Sequence, residues 1–373
     1  MKTPLVPSAL SFLEARPHAK RKRRLGCPVT EVERLRLGRH PFAAAIKFYL
    51  ERRYGTIAES TYKEEERKLR YLAEIFEQLK VEADTKDAEA SDRIKGREEA
   101  RPFTTDPRHI GRREIQDFMA WMRRQGLDPN TQAKYMAHIK SFLKVFKNHV
   151  IQDLEADGVR FPKGNKKPIR VLAVDDLHSI FGTLEGMDGW RSSIARGMIA
   201  LAFATGTRPK EFRLAHLEDL NLKKMTFFVR HPKGEGSWAS ATEIDIIRPD
   251  MVPFLERYLR ERSAHLKEQG IARSVPLFPN LYRGQDEFYS ANAFYTIKHE
   301  VELASGVDFK LKDFRSTLTS ITVNSDMSLL PAMSAQLRHK TVGQTQKSYY
   351  RMEQGAAGRQ LKNACGLSGP PGP

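Results

Sequence analysis

The stretch ATGTRPKEFRLAHL, residues 204–217, decides how the second half of the chain reads. Apolar periodicity over 191–203 predicts a helix running into it. Gly206 suits the end of that helix, and Pro209 suits the first turn of the next. Arg208 then stands at a helix start, where a cation is unfavourable unless an anion or an acidic side chain is close. Glu211 is one candidate partner and a phosphate is another. KLKDFRSTLT at 310–319 raises the same question. A helix over 312–324 puts Lys312 and Arg315 on one face, where like charges repel by about a few tenths of a kcal/mol. Phe314, Leu318 and Ile321 form an apolar stripe behind them. Either a solvated basic face or an anion site accounts for such a pair.

Further helical patterns cover 175–185, 249–269, 290–304 and 328–337. Two strand-like runs, MTFFVR at 225–230 and TEIDII at 242–247, flank HPKGEGSWASA and predict a hairpin with Lys233 near its tip. LRHKTVGQTQKSYYR at 337–351 adds His339, Tyr349 and Tyr350. Taken singly, each is ordinary: a turn lysine, a surface histidine, tyrosines that pack a ring and hydrogen-bond a hydroxyl.

The first half reads as helices. Phe42, Ile46, Tyr49 and Leu50 make one stripe, and Leu69, Leu72, Ile75, Phe76 and Leu79 another. Residues 82–101 carry almost no large apolar side chains and read as a loop or solvated insertion. A helix over 113–125 stops at Gly126, and one over 130–150 opens with Asn130 as N-cap. Lys134, Lys140 and Lys144 lie off its apolar stripe, on a basic outer face that is either solvated or meets a polyanion. The expected organisation is a basic flexible arm over 1–39 containing KRKRR, a helical bundle over 40–155, a linker over 156–172 and a second domain over 173–353. A flexible tail over 354–373 completes it. Lys166 and Lys167 in the linker add to the candidate contacts with a polyanion. The fold class is mainly α with a small antiparallel β-sheet, an α+β second domain beside an N-terminal helical bundle.

Sixty-three Lys and Arg against 46 Asp and Glu give a net charge of +17 and favour a polyanionic partner. No apolar run approaches a membrane span, and MKTPLVPSALSF does not read as a signal peptide, so a cytoplasmic, nucleoid-associated protein is expected. Cys27 and Cys365 cannot form a zinc cluster by themselves, and no disulfide is expected. No D-x-D or acidic cluster offers a magnesium site, and no cofactor is expected.

In chain order these parts resemble the tyrosine recombinase/integrase family. The family reads Arg in A-T-G-x-R-x-x-E, a hairpin Lys, His-x-x-Arg, His in L-G-H, then Tyr. ATGTRPKE at 204–211 matches the first box residue by residue; Lys233 corresponds to the hairpin lysine; Lys312–Arg315 and Leu337–His339 occupy the next two boxes. The resemblance covers about 175–353, with a weaker helical match to the family's core-binding domain over 40–150. Three departures stand out. Lys312 replaces the first His, as in archaeal virus integrase-like variants; Arg338 replaces the glycine before His339; and the tyrosine is displaced by about one residue, so Tyr349 and Tyr350 compete, with Tyr349 the smaller displacement.

The resemblance implies site-specific cutting and rejoining of double-stranded DNA through a 3′-phosphotyrosine, without metal or ATP. It further implies a C-shaped clamp and a homo-tetramer on two DNA sites, with DNA-bending accessory proteins as further partners. Arg208, Arg315 and His339 would hold the scissile phosphate, Lys233 would act as general acid and Tyr349 as nucleophile. Lys312 would be either the base or a third phosphate ligand. A recombinase-like DNA-binding protein without catalysis and a type IB topoisomerase are the alternatives.

Overall fold

The computed structural model describes residues 31–93, 101–165, 168–236 and 239–353, with isolated positions between 355 and 362. The KRKRR arm, both cysteines, Lys166, Lys167 and most of the tail lie outside the described residues. Two compact units result, one built from residues up to Thr56 with Thr61–Gly164, the other from Ile57–Ser60 with the residues from Asn165 onward.

The first unit holds α1 (Pro41–Arg53), α2 (Glu59–Arg93), α3 (Arg112–Arg124), α4 (Pro129–Val145) and α5 (Val150–Ala156). Phe42 joins them, its ring 5.0 Å from that of Phe76 and 4.7 Å from that of Phe142. Glu65 is buried but paired, accepting from Tyr49 Oη at 2.8 Å and lying 3.2 Å from Arg53. Three expectations are corrected here. Residues 82–93 are not a loop but the end of α2. Their Ala, Glu and Lys residues favour helix without needing a core, and no Gly or Pro interrupts them. The N-cap of α4 is Asp128 rather than Asn130: its carboxylate accepts from the backbone N–H of Asn130 at 3.0 Å and Thr131 at 3.2 Å, with Pro129 in the first turn. The helix expected over 130–150 is also interrupted. Lys147 adopts φ 58°, and Asn148 donates its side-chain amide to the carbonyls of Pro107 and Ile110.

The second unit is mainly helical with one small sheet. Its helices are α6 (Val174–Gly186), α7 (Trp190–Thr205), α8 (Pro209–Arg213), α9 (Val252–Glu268), α10 (Ala291–Ser305), α11 (Asp313–Ser325), α12 (Leu330–Gln336) and α13 (Val342–Ser348). The sheet is antiparallel in the order β1 (Leu220–Asn221), β2 (Thr226–Val229) and β3 (Thr242–Asp245), with Phe227 opposite Ile244. Helix α7 is buried along Ser192–Thr205, as a helix apolar on every side must be. The one long side chain that breaks this pattern, Arg196, donates to the carbonyls of Leu184 and Met187. Helix α11 is buried from Asp313 to Ser320. The solvated-face reading of Arg315 therefore fails, because packing encloses both sides of the helix.

Helix α9 passes close over Gly197 of α7: a methyl group there would lie 2.5 Å from the Tyr258 ring and 2.9 Å from that of Phe278. Both rings are buried, so neither can swing aside. Gly197→Ala should destabilise the protein by about 1–3 kcal/mol despite its better helix propensity. A lowered urea midpoint at unchanged m-value is the expected result; an unchanged or raised midpoint would show that the helices separate freely.

Candidate active site

Arg315, in the first turn of α11, has only 1% of its surface exposed. Nη1 donates to Gly206 O at 2.6 Å, while Nη2 donates to Leu337 O at 2.7 Å and to His339 Nε2 at 2.8 Å. Gly206 ends α7 at φ 67°, and a Cβ there would come within 2.9 Å of Leu337 Cδ2. Glycine is thus needed for the turn and for the approach of α12. Burial, and next the charge of Arg208, push the Arg315 pKa down to about 9, which leaves it cationic at neutral pH.

Arg208 does find its acidic partner. Its backbone N–H donates to Glu211 Oε2 at 2.8 Å and its Nη1 to Oε1 at 3.0 Å. The same carboxylate accepts from Arg338 Nη2 at 2.6 Å. Burial pushes the Glu211 carboxyl up, but Arg338, the Arg208 N–H and the Arg208 charge together outweigh it, so the pKa falls below the usual range. Arg338 keeps the turn that a glycine would make. It sits at φ 55°, with its N–H on Ala335 O at 2.8 Å and that of His339 on Ser334 O at 3.0 Å, closing α12.

His339 accepts from Arg315 at Nε2, so its proton resides on Nδ1 and is donated to Thr345 Oγ1 at 2.7 Å. Burial, followed by Arg315, Arg208 and Arg338, pushes its pKa down to about 3. The Tyr349 ring stacks on the imidazole at 4.9 Å and 22°, and the Arg315 guanidinium carbon lies 4.8 Å from the Tyr349 centroid. Tyr350 turns the other way: it is buried, and its hydroxyl donates to Asn324 Oδ1 at 3.1 Å. Burial, with Glu353 nearby, raises its pKa.

A cleft of about 260 Å³ is lined by Arg208, Lys233, Thr242, Arg338 and His339. Lys233 is exposed on the connection between β2 and β3. Lys312 is not part of this lining. It caps the start of α11, is exposed, and faces a neighbouring groove with Lys210, Arg213, Tyr295 and Lys310. In the first unit, Lys134 and Lys144 are exposed on α4, whereas Lys140 is paired with Glu155 at 2.7 Å. Thr345 and Asn324, which orient His339 and Tyr350, carried no signal in the sequence; Arg338 carried one, a cation where glycine is usual.

Residues 170–355 match the phage integrase family. The chain belongs to that family, the tyrosine recombinases. It is similar to tyrosine recombinase XerD of Listeria innocua, with 27% identity over 44% of this chain and 53% of the relative. XerD of Pseudomonas aeruginosa is 28% identical over 52% of this chain and 62% of the relative. The chain thus spans little more than half the length of these curated relatives. Among solved structures, XerH recombinase bound to palindromic difH substrate gives a TM-score of 0.57 at 13% identity, covering 89% of this chain and 98% of that one. The Tn1549 transposon integrase in complex with transposon right end DNA gives 0.56 at 13%, covering 87% and 99%. At that identity the likeness is one of fold.

The hydrogen bonds of His339 fix a neutral imidazole. Below the unfolded pKa near 6.5 the unfolded chain binds a proton that the folded site refuses, so stability falls as pH drops from about 6.5 towards 3. In a two-dimensional NMR titration the His339 resonances should stay at their neutral, Nδ1-protonated positions from pH 8 to 5. Titration near pH 6.5 would contradict the site geometry.

Proposed function

We propose that this chain is a site-specific DNA recombinase that breaks and rejoins duplex strands through a covalent 3′-phosphotyrosine. The observation carrying this reading is a cationic cleft walled by Arg208, Lys233 and His339, with Arg315 bonded to His339 and the Tyr349 ring packed against both, four separate segments besides the hairpin. A phosphodiester is the anion that such a cleft fits. Its negative charge grows at the nonbridging oxygens during displacement, and fixed guanidinium groups stabilise that charge without reorganising.

In the proposed step Tyr349 Oη bonds to phosphorus as the bond from phosphorus to the 5′-oxygen breaks. The 5′-oxygen leaves with a proton from Lys233, whose exposed position on the hairpin connection lets it reach the leaving group. The phenolic proton passes to water or to a phosphate oxygen. Lys312, in the neighbouring groove, is read as a contact to flanking backbone rather than as the base. His339 accepts from Arg315 in the free protein, and so must turn or exchange that bond before it can donate to the phosphate. Religation reverses the step with a 5′-hydroxyl from a second strand. Lys134 and Lys144 are read as further DNA contacts, and the working form as four chains on two duplex sites.

Incubation with a pool of nicked duplexes of random central sequence should trap covalent protein–DNA adducts, with mass spectrometry placing the DNA on Tyr349. Tyr349→Phe should abolish them. Tyr350→Phe should retain them while losing about 1 kcal/mol of stability with its bond to Asn324. Adducts that persist in Tyr349→Phe would remove this tyrosine from the reaction. Relaxation of supercoiled plasmid without recombinant products would point to a type IB topoisomerase activity instead.

A further inference from the structure

Arg338 replaces a residue that the turn itself favours. At φ 55° a side chain is strained, and glycine would hold the same bonds at the end of α12 without that strain. Its guanidinium is tied to Glu211 through Nη2 alone. Five buried side-chain polar atoms lack a partner among the described residues, and three of them, Arg338 Nε, Arg338 Nη1 and Arg315 Nε, belong to the arginines of this one site. Unpaired buried donors are uncommon and costly, and their concentration here points to an anion as the partner they suit. The charge balance agrees: Arg208, Arg315 and Arg338 surround a single carboxylate, Glu211. Lys312, which takes the family's His position three residues before Arg315, lines another groove, whereas Arg338 lines the cleft itself.

We propose that Arg338 is a further catalytic residue, a third guanidinium that donates its unpaired N–H groups to a nonbridging oxygen of the scissile phosphate while Glu211 holds it in place. This rests on the phosphotyrosine reading above. No proton or bond is exchanged with Arg338; it acts only on the charge that develops at the phosphate. A role confined to holding Glu211 would be indifferent to that charge, which provides the means to separate the two.

A duplex carrying the sequence recovered from the random pool is made twice, with a phosphodiester and with a methylphosphonate at the scissile position, the latter lacking the anionic oxygen. On the phosphodiester, Arg338→Gly should form adduct on the order of 10²-fold more slowly than the unaltered protein, both measured below the variant's own melting temperature and at saturating protein. On the methylphosphonate, where only one oxygen remains to take up charge, the deficit of Arg338→Gly should shrink by on the order of tenfold or more. Equal rates on the phosphodiester, or an equal loss on both substrates, would overturn the proposal while leaving Tyr349 as nucleophile intact. If the unaltered protein forms no adduct with either duplex or with the pool, the phosphotyrosine reading itself falls and the role of Arg338 with it. Should Arg338→Gly not fold, Arg338→Lys serves in the same comparison. It keeps a charge near Glu211 without the guanidinium fork, and a smaller loss, again reduced on the methylphosphonate, is expected.

Discussion

A guanidinium almost wholly removed from water is what the second unit is organised around. Leaving Arg315 charged inside the protein requires dipoles in place of the lost hydration, and the carbonyls of Gly206 and Leu337 supply them. Both carbonyls sit at the ends of helices, α7 and α12, where backbone acceptors have no partner of their own and the helix dipole is negative. One side chain from α11 therefore satisfies the ends of two other helices. Three sequence-distant segments are locked together by a group whose removal would strand two buried acceptors.

The chemistry of the neighbours follows from that arrangement. Because Arg315 donates to His339, the imidazole must present a lone pair at Nε2, and its proton goes to Thr345. The same cation disfavours a second positive charge on the ring. Tyr349 closes over both groups, its ring against the imidazole and the guanidinium. The adjacent Tyr350 anchors the chain from the other side through Asn324. Two neighbouring phenols thereby acquire opposite roles, one packed into the core and one against the cationic cluster.

Glu211 adds the second constraint. A single buried carboxylate accepts from the backbone and side chain of Arg208 and from Arg338, which joins the start of α8 to the turn after α12. The site is thus preorganised with more positive than negative charge. On the proposed reading, that excess of positive charge is what a phosphate would offset.

Much of this was legible in the sequence because it depends on local chemistry. Apolar periodicity placed most helices of the second unit within a few residues of where they lie, and the hairpin runs were marked by their alternation. The order Arg208, Lys233, Arg315, His339, Tyr349 identified the family, which residues 170–355 bear out. Composition misled at 82–93, where a solvated helix and a loop share the same polar residues, and at Asn130, where the capping carboxylate of Asp128 lies two positions earlier. Three-residue spacing put Lys312 and Arg315 on one face, but the helix begins between them. One stays in solvent at the cap while the other enters the core. The linear chain thus determined which groups exist and which turns they flank. Which of them share a cleft, which arginine is desolvated and which tyrosine packs against the cationic cluster were decided only when distant segments packed, because burial and hydrogen-bond partners are properties of the assembled core and not of spacing along the chain.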